Sequence, residues 1–236
     1  MPSPQVAFIN GIPVINNLSQ AQAFNVNLNK YEMISQSLYD SAAYPITGLA
    51  AMTFFQLPQG SGVGVISGGA KTAEDTNMQA AGNMPAMQAY IVTSFELDVQ
   101  SGVPAFSATS LPAFHGAAQV ITSINDVWKI RATGFLQFVI GSKAYITEGP
   151  LMKFPASNDL EIDAAIADST TAGAANQTFA AYAKAVGPAY EIAPNNLLLI
   201  PNQNFSGTLN WATLETVTTA ARIFMRLMGT LIRAAQ

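Results

Sequence analysis

The sequence predicts a mainly β protein of antiparallel strands in two facing sheets, and three stretches carry that expectation. Residues 128–140 place Trp128, Ile130, Ala132, Gly134, Leu136, Phe138 and Ile140 on one parity and Lys129, Arg131, Thr133 and Gln137 on the other. That is the two-residue period of a strand with one apolar face. A turn at Gly141-Ser142 returns the chain through Lys143 to Thr147, so residues 128–155 read as a long hairpin around which the rest is organised. Residues 88–100 repeat the pattern, with Ile91, Thr93, Phe95, Leu97 and Val99 opposite Glu96 and Asp98. Between residues 190 and 211, three short apolar runs are punctuated by Pro194, Pro201 and the turn Asn202-Gln203-Asn204, the grammar of short strands.

Taken in order, residues 1–29 hold no charged side chain and alternate short apolar pieces with Pro, Gly and Asn. They read as an extended arm that lies along its own domain or a neighbouring copy. Prolines at positions 2, 4 and 13 and the lack of a basic start do not resemble a secretory leader. Tyr31, Ile34 and Leu38 share one helical face, and Asn29 with Glu32 fits a capping box, so a short helix is predicted over residues 29–40, ending before Pro45. Residues 49–57 form a compact apolar run bounded by Gly48 and Pro58, which suits a buried strand. Val120, Ile121, Ile124, Val127 and Trp128 show helical spacing, so a short helix leads into the hairpin.

Ala-rich residues 174–186, with Phe179, Tyr182 and Val186 at helical spacing and Gly187-Pro188 as a stop, predict another short helix. Phe205, Gly207, Leu209 and Trp211 share one strand face. At the C-terminal end, Arg222, Arg226 and Arg233 fit an amphipathic helix. Ile223, Met225 and Leu227 fit a strand, with Gly229 as a bend or turn. The surrounding β pattern favours the strand.

Composition limits the chemistry. Half of the 236 residues are hydrophobic and 10% are charged, against roughly a quarter charged in ordinary soluble domains. So few charges leave a surface that is either solvated by uncharged polar groups or covered by other subunits, and the second is favoured. A net charge of -4 with one small cluster of arginines, read as a solvated face, argues against a nucleic-acid site. With no cysteine there is no disulfide framework, thiolate nucleophile or Cys-bound zinc. No apolar run is long enough to span a bilayer as a helix.

The motifs that invite a catalytic or ligand reading have simpler ones. Gly60, Gly62, Gly64, Gly68 and Gly69 with Lys71-Thr72 suggest a phosphate loop, but the spacing of G-x-x-x-x-G-K-[ST] and its βαβ setting are absent, and residues 59–85 read as a flexible connection. Glu96 and Asp98 share a strand face, as a general acid/base or metal pair would, yet read as the solvent face. His115 is the only histidine, which excludes multi-histidine metal sites; a residue bonded to backbone at a helix start outweighs a general base. Asp159, Glu161, Asp163 and Asp168 lack the order of an EF-hand loop and read as an alternating or edge-guarding strand face. No catalytic, cofactor-binding or metal-binding residue is assigned.

Counting gives about eight strands, near residues 49–57, 88–100, 128–140, 143–148, 190–193, 196–200, 204–211 and 221–233, with short helices in the crossings. Such a set suits an antiparallel jelly-roll sandwich. The stretches LAAMTFFQLP, KTAEDTNMQAAGNMPAMQAYIVTSFEL, INDVWKIRATGFLQFVIGSKAYITEGPLMKFP, NNLLLIPNQNFSGTLNW and RIFMRLMGTLIR resemble the jelly-roll major capsid proteins of small tailless icosahedral bacterial viruses, including the membrane-containing ones. The resemblance implies an arm and short helix over residues 1–47 and a single roll over 48–236, with a compact double roll as the alternative. It further implies a non-enzymatic structural protein of the virion that homo-oligomerises to tile an icosahedral shell. Its partners would be copies of itself and other virion proteins, with room for an internal membrane beneath, and no small-molecule substrate. The competing readings are a jelly-roll receptor- or carbohydrate-binding module that uses Trp128, Trp211 and tyrosines to stack on sugars, and, behind it, a glycosidase using Glu96 and Asp98 or Asp159 and Glu161.

Overall fold

The computed structural model describes residues 8–9, 12–13, 31–65, 68–101, 117–155, 160–168, 177–185, 189–192, 194 and 196–234; residues 8–9, 12–13, 117–124, 160–168 and 177–185 are described by backbone course alone. In chain order the strands begin with β1 (Phe8–Ile9), β2 (Ile12–Pro13), β3 (Tyr31–Ser35), β4 (Leu38–Tyr44), β5 (Ala51–Phe54) and β6 (Gln88–Ser101). Helix α1 (Ala117–Thr133) runs straight into β7 (Gly134–Ile140), followed by β8 (Lys143–Glu148) and a 3-10 turn (Leu151–Lys153). Then come β9 (Leu160–Asp168), β10 (Gln177–Ala185), β11 (Tyr190–Glu191), β12 (Leu197–Leu199), β13 (Phe205–Trp211) and β14 (Ala221–Ala234).

Two larger sheets carry the protein, and every strand pairing within them is antiparallel. In the first, the 14-residue strands β6 and β14 pair along nearly their whole length. β3 and β4 lie in line along the far side of β14, and β11 and β12 along the far side of β6. The second sheet has the order β5-β13-β7-β8. β1 with β2, and β9 with β10, form separate two-stranded ladders.

The alternation read from the sequence decides which faces meet. On β13, Phe205, Gly207, Leu209 and Trp211 are buried, and on β7 Gly134, Leu136, Phe138 and Ile140 are buried, with less buried residues between them. They face Tyr44, Tyr90, Val92, Phe95, Leu97, Ile223, Met225 and Leu227 of the first sheet in one shared core. Phe95 and Phe138 meet edge-on at 5.0 Å and Tyr44 and Trp211 at 5.1 Å across the gap. Gly207 is required here, because a Cβ would collide with Met225 Sδ. Each large side chain buried in this way stabilises the fold by roughly 1.5–3 kcal/mol.

The β6–β14 ladder contains an irregularity that the sequence did not announce. Ser94 pairs with Met228 and Val92 with Gly229, so Thr93 is an extra residue on β6. A bulge of this kind shifts side-chain parity by one position. Tyr90 and Val92 therefore join Phe95 and Leu97 inside, whereas Ala89 and Ile91 turn outward and pack on Ile232. The expected single face from Ile91 to Val99 is thus split in two. Gly229 is the residue that permits the split, since a Cβ there would overlap the carbonyl oxygen of Ile91. The expected bend is a bulge inside one continuous strand.

Other expectations need correction. Residues 31–35 and 38–44 are strands and not a helix, because β14 offers them a ladder that the capping pattern could not reveal. Glu32 is no cap: its carboxylate receives Arg233 Nε at 2.8 Å across that ladder. Residues 177–185 form β10 against β9 rather than an Ala-rich helix, since helix propensities of a few tenths of a kcal/mol per residue yield to strand pairing. Conversely, residues 128–133 belong to the 17-residue helix α1 and not to a strand. Ile130 is fully buried and Trp128 exposed, a division that a helix satisfies as well as an alternating strand would. The apolar run 49–57 yields only β5, which stops before Phe55, a residue with φ +69°. The Gly141-Ser142 turn and the C-terminal strand stand as read.

Gly229→Ala should lower the unfolding free energy by about 2–3 kcal/mol through overpacking. Gly60→Ala, at φ +81° but with open space around the added methyl group, should lose only about 1–2 kcal/mol to backbone strain. Urea unfolding midpoints of the two variants test the ordering.

Candidate functional site

The free edge of β4 is covered. Asn77 N donates to Tyr39 O at 3.3 Å and Tyr39 N donates to Asn77 Oδ1 at 2.9 Å. Asn77 Nδ2 reaches Ser37 O at 2.7 Å, and Thr76 Oγ1 reaches Tyr39 O at 3.0 Å. Residues 58–65 and 68–79 thus act as a strap that supplies the bonds another strand would make, which removes a template for unwanted strand pairing.

Buried charges hold the strap. Asp40 lies on the inward parity of β4 with Leu38 and Tyr44, and is 1% exposed. Its carboxylate accepts Phe55 N at 2.7 Å, Ser41 N at 3.0 Å and Lys71 Nζ at 2.6 Å. Lys71 also donates to Ser41 O at 2.8 Å. Asp75 accepts Val65 N at 3.0 Å and Thr72 N at 3.2 Å, and lies 3.4 Å from Arg222 Nη2. Arg222 donates as well to Glu74 O and stacks 4.0 Å from the centre of the Phe224 ring, on which Arg226 also lies.

Burial pushes the Asp40 carboxyl above its usual range, against the pull of the Lys71 ammonium and the Phe55 N–H. Burial likewise lowers the Arg222 guanidinium, against Asp75. The glycine-rich stretch expected to be a flexible connection is therefore tied down, with its lysine committed to a carboxylate of the same chain.

The residues singled out in the sequence do not converge. Glu96, read as solvent-facing, is 1% exposed, because the outer face of β6 is covered here. Asp98 lies 3.6 Å from Arg226. Arg222, read as part of a solvated basic face, is buried, while Arg233 is half exposed on Glu32. Glu161, Asp163 and Asp168 stand on β9 in register with Lys184, Tyr182 and Gln177 of β10. His115 and Asp159 lie outside the described residues. Among the described residues no group of three or more His, Asp or Glu is placed to hold a metal ion, and no helix is long and apolar enough to cross a membrane. Trp211 is a core residue whose Nε1 donates to Ile130 O at 3.0 Å.

One corner of the molecule joins three segments that each carry an exposed apolar side chain. Ile46, Trp128 and Leu214 are 54%, 55% and 61% exposed, and their three segments are bonded to one another. Val217 N donates to Ile46 O at 3.1 Å, and Lys129 Nζ to Thr216 O at 3.4 Å. The buried Asp126 carboxylate accepts Thr218 N and Thr219 N at 2.9 Å. Neither this corner nor the strap charges were found by sequence reasoning. For the strap, the available signal was a lone Asp on an apolar parity and a lone Lys among glycines.

Lys71→Met should cost about 3–5 kcal/mol, because it leaves Asp40 buried without its partner, and should speed thermolysin cleavage within the strap. The sign for pH follows from Asp40. Its raised folded value means that its contribution is complete below the ordinary 3.8 and declines as pH rises through the folded value. The stability of wild type relative to Asp40→Asn, from urea melts at a series of pH values, should therefore fall with rising pH over that window.

Comparison with protein-family models, with curated proteins and with solved structures finds no match to this chain.

Proposed function

We propose that this chain is a single jelly-roll shell subunit: a structural capsid protein that tiles an icosahedral virus particle through contacts with copies of itself and other virion proteins. The strand pairing supports the roll. With in-line strands joined, β3/β4 pairs with β14, β5 with β13, β6 with β11/β12 and β7 with β8. That is a ribbon folded in half, first strand with last and inward to the central hairpin, then rolled so that β14 meets β6 and β13 meets β7. A two-sheet jelly roll of two Greek keys has this form.

The observation that carries the shell reading is the corner of Ile46, Trp128 and Leu214. The two main sheets spend their inner faces on one core, and β4 is closed by the strap. β8 is broken by a bulge between Val139 and Phe138 of its partner strand, with Lys143 at its start. These are devices that discourage edge-to-edge pairing. Side-chain surfaces at the corners of the roll offer a route for association, where a chain poor in charge leaves apolar groups to be covered. Burial of such a corner between copies avoids the cost of desolvating unpaired charge.

Under assembling salt and concentration, wild type should sediment as large oligomers or particles. Ile46→Glu and Leu214→Glu should sediment as monomers with unchanged melting temperatures. A wild type that stays a monodisperse monomer under every condition would overturn the proposal.

A further inference from the structure

We infer that a cleft of about 230 Å³ at the β3–β4 junction is a binding site for a neutral saccharide. The inference is independent of the shell reading and adds a ligand to it.

The cleft lies between the junction residues, the end of the strap and the paired ends of β6 and β14. Leu38, Met78, Met84 and Tyr90 form buried parts of its floor, and Gln36, Asn77, Gln79, Asn83 and Gln88 line it with amides. Asn77 is committed to the edge of β4. The side chains of Gln36, Gln79, Asn83 and Gln88 make no hydrogen bond among the described residues, so four of the residues along the cleft keep amide donors and acceptors unspent. Next to Gln88, Met87 is 66% exposed and sits at φ +62°. A left-handed backbone at a non-glycine residue costs on the order of 1 kcal/mol or more, and such strain clusters at functional sites.

The chemistry of the lining selects the ligand class. Arg233 is the one charged side chain among the lining residues, and Glu32 already neutralises it at 2.8 Å. An anion therefore meets one cation that is already paired with a carboxylate, and a cation finds no lining carboxylate. A peptide added as a strand would need open main-chain groups, yet Ser37 O is taken by Asn77 Nδ2 and Gln36 O lies 2.6 Å from the Tyr90 hydroxyl. What remains on offer is side-chain amide, which both donates and accepts without charge. Sugar hydroxyls need that combination, and Met78 and Met84 leave the floor beneath them apolar. The volume is below the roughly 300–1,000 Å³ that encloses a drug-sized ligand and suits one ring, with the rest of a glycan in solvent.

Saturation-transfer NMR on the full chain, with neutral trisaccharides of glucose, mannose, galactose and N-acetylglucosamine, a trisaccharide of uronic acid and an uncharged tripeptide, tests this. At least one neutral sugar should receive saturation. Its binding should weaken at least tenfold in Asn83→Leu/Gln88→Leu and, separately, in Gln79→Leu, an exposed position whose replacement leaves melting unchanged. The inference is overturned by saturation of none of the neutral sugars, by preference for the uronic acid or the tripeptide, or by binding that persists in both folded variants.

Discussion

The long antiparallel contact between β6 and β14 is the constraint on which the rest of the structure depends. These two strands lie at the centre of the first sheet, so β3, β4, β11 and β12 each owe their place to one of them. Their inner faces supply much of the core that the second sheet closes. The bulge at Thr93 and Gly229 lets the same pair serve two surfaces, the shared core and the outer cluster of Ala89, Ile91 and Ile232. Without that break in parity, one of these apolar sets would face the wrong side.

The scarcity of charge has a structural counterpart in where charges sit. Asp40, Lys71, Asp75, Glu96, Asp126 and Arg222 are all buried. Such groups contribute little net stability when paired and penalise heavily any arrangement that separates them. They act here as a requirement for one placement of the strap and of the loop after β13. The remaining described charges, such as Lys153 with Glu148 and Arg233 with Glu32, sit at the surface among amides, hydroxyls and exposed apolar side chains.

Much of the fold was legible and little of the site was. Strict alternation gave β7 from Gly134 onward, β13, and the inward row of each, because burial on one face writes a period of two into the sequence. The Gly141 turn was equally plain. Residues 31–40 and 177–185 were misread as helices because their strand state depends on distant partners, which local spacing does not contain. Residues 128–133 failed in the opposite direction, since a short alternating run also fits a helix with one buried Ile and one exposed Trp. The Asp40–Lys71 tie joins positions far apart in sequence, and the corner of Ile46, Trp128 and Leu214 exists only once three separate segments meet. No local pattern encodes either.

The central proposal is that this pair of sheets is finished by its neighbours. Electron microscopy of the protein under assembling conditions tests it most directly. The account predicts closed particles of uniform diameter in whose maps Ile46, Trp128 and Leu214 lie between subunits. Separate single molecules, or particles in which that corner faces solvent, would contradict it.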